Sequence, residues 1–262
     1  PAAVMSECFF RFDTRARDNE PMARKRLLQV SITGGDLDKM IAIYADSEDT
    51  HHDGVWFANR LTELGVLDLL DYTSIDVAHG ESLPAPEDYD VVFVGGSIPS
   101  INDGLDWQEI MMAWLAEYRA VGRPLFAVCG GHQMVSHMHG GRVTPLSGGR
   151  FVGSKPLELT DAGRAHFIFE GFDDDPHFHF GNEEHVEILP PGATLLASSE
   201  VFEAAAIDHG GHWVTTQFHP EMTAVGCMAA VSQEVSEPHL YFRHLPDAPR
   251  LFVNFLAGTG IL

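Results

Sequence analysis

The sequence predicts an α/β protein, a doubly wound and mostly parallel sheet with a small antiparallel insertion. Three observations carry that prediction. Apolar runs of strand length alternate with stretches of helical length through the first half of the chain. From Arg142 to Val214 the pattern changes to short strands separated by turn signals. Between the two regions one buried strand, Pro124 to Val128, runs into a cysteine and a pair of glycines and then into a helix-like stretch, Gln133 to His139.

Taken in order, Met40 to Ala45 reads as the first parallel strand and Asp46 to Asp53 as a polar loop at its end. Val55 to Leu64 reads as a helix closed by Gly65. Val66 to Tyr72 fits a strand, interrupted in character by Asp68 and Asp71. Tyr89 to Val94 is a clear strand that ends in Gly95-Gly96-Ser97, and Trp107 to Ala120 is a helix. The later short strands are Lys155–Leu159, His166–Phe169, Phe178–Phe180, Val186–Leu189, Thr194–Ser198 and Phe202–Ile207. Trp213 to Thr216 is a further strand, Met222 to Val235 a helix interrupted by Gly226, and Asp247 to Leu256 a terminal helix. Leu27 to Ile32 reads as an added edge strand, followed by a turn at Thr33–Asp36. Ligands of such sheets bind beyond the carboxyl ends of the strands, where Gly95-Gly96 and Cys129 both fall.

Composition bounds the function. The chain has 262 residues and 45% hydrophobic content, which suits one large globular domain. No apolar run approaches a membrane span, and Arg11, Asp13, Arg15 and Arg17 interrupt any leader pattern, so a cytoplasmic location is the default. The net charge of −22 argues against nucleic acid or an anionic membrane as partner. Basic residues cluster before residue 40, which reads as a solvated surface segment. Cys8, Cys129 and Cys227 are too few for a disulfide framework.

The strand–cysteine–helix junction has the form of a nucleophile elbow. Such a turn holds its apex residue in a strained conformation, and side chains two before and two after would collide. Ala127 and Gly131 meet that demand. The helix N-terminus behind the sulfur favours the thiolate. A lone cysteine at a strand end is more often a core residue. Gln217-Phe-His219-Pro-Glu221 changes the balance, because a nucleophilic cysteine needs a base and the base needs an orienting carboxylate. His219 and Glu221 lie two apart, so on an extended segment they face the same side. The Gly130 amide, next after the nucleophile, can donate to an oxyanion.

Together these residues resemble the class I, triad-type glutamine amidotransferases, and within them the stand-alone proteins similar to the amidotransferase domain of GMP synthetase. The family pattern G-x-C-x-G-x-Q stands here as Ala127-Val-Cys129-Gly130-Gly131-His132-Gln133, with Ala in place of the first Gly. Gly140-Gly141-x-Val143 and His219-Pro-Glu221 also match. The resemblance runs from about Met40 to the C-terminus, which leaves residues 1–39 as an N-terminal extension and 40–262 as the domain.

The resemblance implies a glutaminase half-reaction through a Cys129–His219–Glu221 triad and a γ-glutamyl thioester. It implies Gly96 as the second oxyanion donor, with Ser97 where many relatives have Pro, and Gln133 beside the substrate. It places Gly181–Val186 where many relatives carry Ser-His-Gly-Asp-x-Val, a departure at the border of the glutamine pocket. No cofactor is needed for this half-reaction. The residues leave no room for a synthetase domain and contain no G-x-x-x-x-G-K-[ST] loop, so a separate synthetase is the expected partner. Two alternatives stand beside it: a stand-alone hydrolase of γ-glutamyl amides or peptides, and a non-catalytic binding module on the same fold. The 15 histidines include His177 with His179, His137 with His139, and His51-His52-Asp53, none in a zinc pattern, so no metal is expected. His132 is expected to pack in the elbow and not to act as a base.

Overall fold

The computed structural model describes residues 23–45 and 50–262. Expectations for the basic residues before Pro21 and for the first part of the Asp46–Asp53 loop lie outside them.

The chain forms β1 (Lys25–Ser31), α1 (Leu37–Ile43), α2 (Asp53–Glu63), β2 (Leu70–Asp76), β3 (Val91–Val94), α3 (Asp106–Val121), β4 (Leu125–Val128) and α4 (Gly130–Met138). The inserted region supplies β5 (Arg142–Pro145), β6 (Phe151–Pro156), β7 (Glu158–Leu159), α5 (Asp161–Ala165), β8 (His177–Asn182), β9 (Glu184–Ile188), β10 (Thr194–Ser198) and β11 (Ala206–Asp208). β12 (Trp213–Thr216), α6 (Ala224–Val231) and α7 (Arg250–Gly258) follow.

The main sheet has the order β2-β1-β3-β4-β12-β11-β10-β7. Its first five strands pair in parallel, and β11, β10 and β7 extend it in antiparallel fashion. β5 with β9 and β6 with β8 form two small antiparallel sheets. The fold is therefore the α/β arrangement the sequence predicts, with one correction at its start. The first strand is Lys25–Ser31, and Met40–Ala45 is not a strand. β1 is also not an added edge strand, because it lies between β2 and β3. The residue 39/40 division thus falls after the first strand of the sheet.

The reason is visible in the pattern of burial. Leu27, Leu28, Val30 and Ile32 are fully buried. Over 37–43 only Met40 is buried, and Asp36 caps this helix by accepting from the Lys39 N–H. Other differences are smaller. His166–Phe169 is a 3-10 turn and not a strand, started by the His166 ring accepting from Ile168 N–H. Leu67–Leu69 is also 3-10, so the strand read at Val66–Tyr72 begins at Leu70. Of the stretch Phe202–Ile207 only Ala206 and Ile207 pair as strand, in β11, while Phe202 turns inward and stacks on Phe180 at 5.1 Å.

Alternation along the central strands loads both faces of the sheet. Val91, Phe93, Phe126, Val128 and Val214 face one core with Phe57, Phe252 and Phe255. Val92, Val94, Leu125, Ala127 and Trp213 face the other with Leu115, Tyr118 and Met134. A third cluster, which includes Met40, Tyr44, Trp56, Met222 and Phe242, joins α1 and α2 to α6 above the sheet. Buried polar contacts then fix α4 against β12. His132 Nδ1 and His209 Nε2 both meet the Thr215 hydroxyl, at 2.8 and 2.9 Å.

Burial keeps these rings neutral. It pushes His132 and His209 down to about 3, the second with help from the neighbouring His132, His139 and Arg119. It pushes His179 down to about 4, with the positive charge of His219 adding to the effect. Unfolded histidine titrates near 6.5, so the unfolded chain takes up protons first as the solution is acidified. The stability these rings permit is complete above about pH 6.5 and is lost as pH falls toward 3–4. For His132 and His209 the loss at pH 5 is about 2 kcal/mol each. Urea unfolding at pH 7, 6 and 5 should show the midpoint falling, and His209→Gln should reduce the fall.

Candidate active site

Cys129 sits at the end of β4 with φ 49° and ψ −109°, the strained backbone expected of an elbow apex. The residues two away are small for a measurable reason. A Cβ at Gly131 would stand 3.1 Å from the Ala127 Cβ, 3.0 Å from Val94 and 2.9 Å from the Gly95 carbonyl. The turn is tied on both sides: Cys129 N–H donates to Thr216 O at 2.8 Å and Gly131 N–H to Gly95 O at 3.0 Å. These two bonds hold the elbow between β12 and the glycine turn after β3.

β4 and β12 are adjacent and in parallel, with Val128 opposite Thr216. The segment leaving β12 therefore delivers His219 next to Cys129, although 90 residues separate them in sequence. His219 N–H donates to His179 O at 2.9 Å, which sets the height of the ring. Its Nδ1 lies 2.5 Å from Glu221 Oε1, and its other side meets the Cys129 sulfur. His219 is 9% exposed and Glu221 is 1% exposed. Burial opposes a charged imidazole here. The Glu221 carboxylate and the Cys129 sulfur outweigh it and hold His219 well above its ordinary value.

The glycine turn closes the other side. A Cβ at Gly96 would meet His219 Cε1 at 3.2 Å and Cys129 Sγ at 3.8 Å, so this backbone faces both side chains directly. A Cβ at Gly130 would come within 2.5 Å of the Ser97 backbone nitrogen. Gly95 N–H is taken by Val30 O and Gly131 N–H by Gly95 O. Among the described residues the amides of Gly96 and Gly130 have no such carbonyl partner. The structure thus brings Cys129, His219, Glu221, Gly96 and Gly130 together.

Gln133 lines the same cleft, but its amide is engaged: Nε2 donates to Glu184 O at 2.9 Å and to Gln217 Oε1 at 3.3 Å. One contact was not legible in the sequence. Asn182 Nδ2 lies 3.2 Å from Cys129 Sγ and 3.0 Å from Gln217 O. Its signal was the departure of the Gly181–Val186 loop from the relatives' pattern, which marked the place and not the contact. Glu184, from the same loop, accepts from the Ser100 hydroxyl at 2.8 and 2.9 Å.

The cleft has a volume of about 630 Å³, and its outer wall is built from α1, Trp56, α6 and Phe242. His132 is fully buried on Thr215 and not directed at Cys129's chemistry. His52 caps α2 by accepting from Gly54 N–H, and His177 Nδ1 pairs with Asp175 O. Among the described residues no group of three His, Cys, Asp or Glu is arranged to hold a metal ion, and no helix is long and apolar enough to cross a membrane.

The family model for class-I glutamine amidotransferases matches residues 56–226. The chain belongs to this family. Among its relatives, a GMP synthase (glutamine-hydrolyzing) of Christiangramia forsetii is 35% identical over 140 residues, covering 52% of this chain and 23% of that protein. Gamma-glutamyl peptidase 5 of Arabidopsis thaliana is 26% identical over 146 residues, covering 51% and 54%. The chain spans little more than half, or less, of the curated relatives it matches. The crystal structure of a glutamine amidotransferase from Thermotoga maritima shares the fold, with a TM-score of 0.69 and 18% identity over 90% of this chain and 98% of that one.

The steric account of the amidotransferase elbow is testable. Gly131→Ala should destabilise the protein by about 1–3 kcal/mol, the usual cost of overpacking a closed site. A lower urea midpoint with an unchanged slope checks this.

Proposed function

We propose that the chain hydrolyses the side-chain amide of glutamine and passes the ammonia to a separate synthetase. The observation that carries this reading is a nucleophile on a strained elbow beside an imidazole that a buried carboxylate holds at 2.5 Å. Cys129 sulfur attacks the carboxamide carbon. The N–H groups of Gly96 and Gly130 stabilise the tetrahedral oxyanion. His219, charged and oriented by Glu221, gives its proton to the departing ammonia. Water then loses a proton to His219 and attacks the γ-glutamyl thioester, releasing glutamate and the thiolate. Asn182 Nδ2 donates toward the sulfur and steadies it between these steps. Gln133 shapes the floor of the substrate pocket through its bonds to Glu184 and Gln217.

Membership of the family supports amide hydrolysis, and the GMP synthase relative supports a synthetase as the consumer of ammonia. A second reading, hydrolysis of N-substituted γ-glutamyl amides or peptides, draws on two observations. The cleft volume is in the range that takes a drug-sized ligand, and a γ-glutamyl peptidase is among the relatives. Both readings use the same groups, and they differ only in the leaving amine.

Ammonia release from glutamine should fall by about a thousandfold or more in Cys129→Ala. Full activity in that variant excludes the mechanism. A panel of glutamine and γ-glutamyl dipeptides, compared by kcat/KM, separates the two readings. Preference for glutamine supports the amidotransferase, and preference for the dipeptides supports the peptidase.

A further inference from the structure

Glutamine and every γ-glutamyl amide carry an α-carboxylate as well as the scissile amide. Enclosing that charge is favourable only where a partner meets it. Besides His219, two cationic side chains line the cleft among the described residues, Lys39 and Arg150. They stand against the carboxylates of Asp36, Glu183, Glu184 and Glu234. Lys39, on α1, is 74% exposed and lies 4.0 Å from Asp36. Arg150 is the enclosed cation: its side chain is 25% exposed and its Nε is buried.

Strand register brings Arg150 toward the reacting groups. It directly precedes β6, whose first residue, Phe151, pairs with Asn182 of β8. Asn182 is the residue whose Nδ2 lies 3.2 Å from the Cys129 sulfur. The antiparallel register therefore carries Arg150 to the level of Glu183, the next residue of the cleft wall.

The guanidinium is only half used. Nη1 donates to Glu234 Oε2 at 2.5 Å, from the segment after α6. Nε is buried and has no acceptor. A guanidinium presents its N–H groups as a planar fork, which a carboxylate can meet with two bonds at once. The single bond to Glu234 leaves one donor of that fork enclosed and unpaired, which is unfavourable. Glu234 is 56% exposed, so its carboxylate returns to water at little cost. Glu234 thus holds the place of a ligand carboxylate and can give way to one that fills more of the fork.

We propose that Arg150 binds the α-carboxylate of the γ-glutamyl substrate, which takes the place of Glu234 on the guanidinium. The proposal rests on the chain acting on γ-glutamyl amides. With its amide carbon at Cys129, the substrate then extends past Asn182 to the level of Glu183. Selection falls on the glutamyl half and is independent of the leaving amine.

The test removes the charge from each side in turn. 4-Aminobutanamide is glutamine without its α-carboxylate. Wild type should prefer glutamine to it by about tenfold or more in kcat/KM. Arg150→Ala should lose about tenfold or more with glutamine, mainly in KM, and change less than about threefold with 4-aminobutanamide. A second measurement needs no turnover: protection of Cys129 from iodoacetamide by glutamate or by 4-aminobutyrate, which is glutamate without its α-carboxylate. Glutamate should protect wild type at concentrations about tenfold or more lower than 4-aminobutyrate, and Arg150→Ala should erase the difference. Glu234→Gln keeps Arg150 and removes the competing charge, so less glutamate should protect it. Discrimination that survives in Arg150→Ala overturns the proposal, as does a Glu234→Gln variant that needs more glutamate than wild type. Where the alanine variant does not fold, Arg150→Gln is read in the same way. Suppose instead that Arg150→Ala erases only a preference for γ-glutamylglycine over γ-glutamylglycinamide. The guanidinium then reads the leaving half, and the proposal is overturned. If wild type hydrolyses neither glutamine nor γ-glutamyl dipeptides, the proposed function is wrong, and the protection assay still decides the role of Arg150. Absence of any protection by glutamate in wild type overturns that role.

Discussion

The backbone at Cys129 imposes its demands on everything around it. A non-glycine residue at φ 49° costs about 1–3 kcal/mol and persists only where neighbours leave no alternative. Here β12 holds the residue through Thr216, and the glycine turn holds the helix start behind it, with Gly95 O accepting from Gly131 N–H. The same crowding requires Ala127, Gly130 and Gly131 to be small. In return the sulfur stands clear of its own strand, over the carboxyl edge of the sheet.

Strand order then assembles the site. β3, β4 and β12 are consecutive in the sheet and parallel, so their carboxyl ends open side by side. Gly96, Cys129 and His219 leave from those three ends. The inserted antiparallel region between β4 and β12 returns Asn182 and the His179 carbonyl to the same place. In the proposed chemistry the oxyanion pocket, the nucleophile and the base thus come one from each neighbouring strand.

The electrostatics follow the same economy of space. Burial acts against charge on His132, His209 and His219 alike, and partners decide the outcome. His132 and His209 have only a threonine hydroxyl between them and are held neutral. His219, equally enclosed, has Glu221 and the Cys129 sulfur and is held charged. Asp53, enclosed without a cation, is pushed toward its neutral form. The family identity explains the presence of an elbow and a His-Pro-Glu segment. It does not explain this placement of a further acid behind the glycine turn.

The sequence by itself determined the fold class and picked out the elbow and the His-Pro-Glu segment that the fold brings together. Those features depend on local spacing: a strand-length apolar run, small residues at fixed offsets from Cys129, and a histidine and glutamate two apart on an extended segment. Tertiary structure decided what short apolar runs cannot. Met40–Ala45 is apolar throughout while Lys25–Ser31 carries Lys25, Arg26, Gln29 and Ser31, yet the slot between β2 and β3 took the second as strand. Asn182 at the sulfur, Gln133 held by Glu184, and Asp53 behind Gly95 join residues 53, 51 and 42 positions apart. Contacts across such distances are set by which strand ends lie together, a property of the closed sheet and not of any stretch of chain.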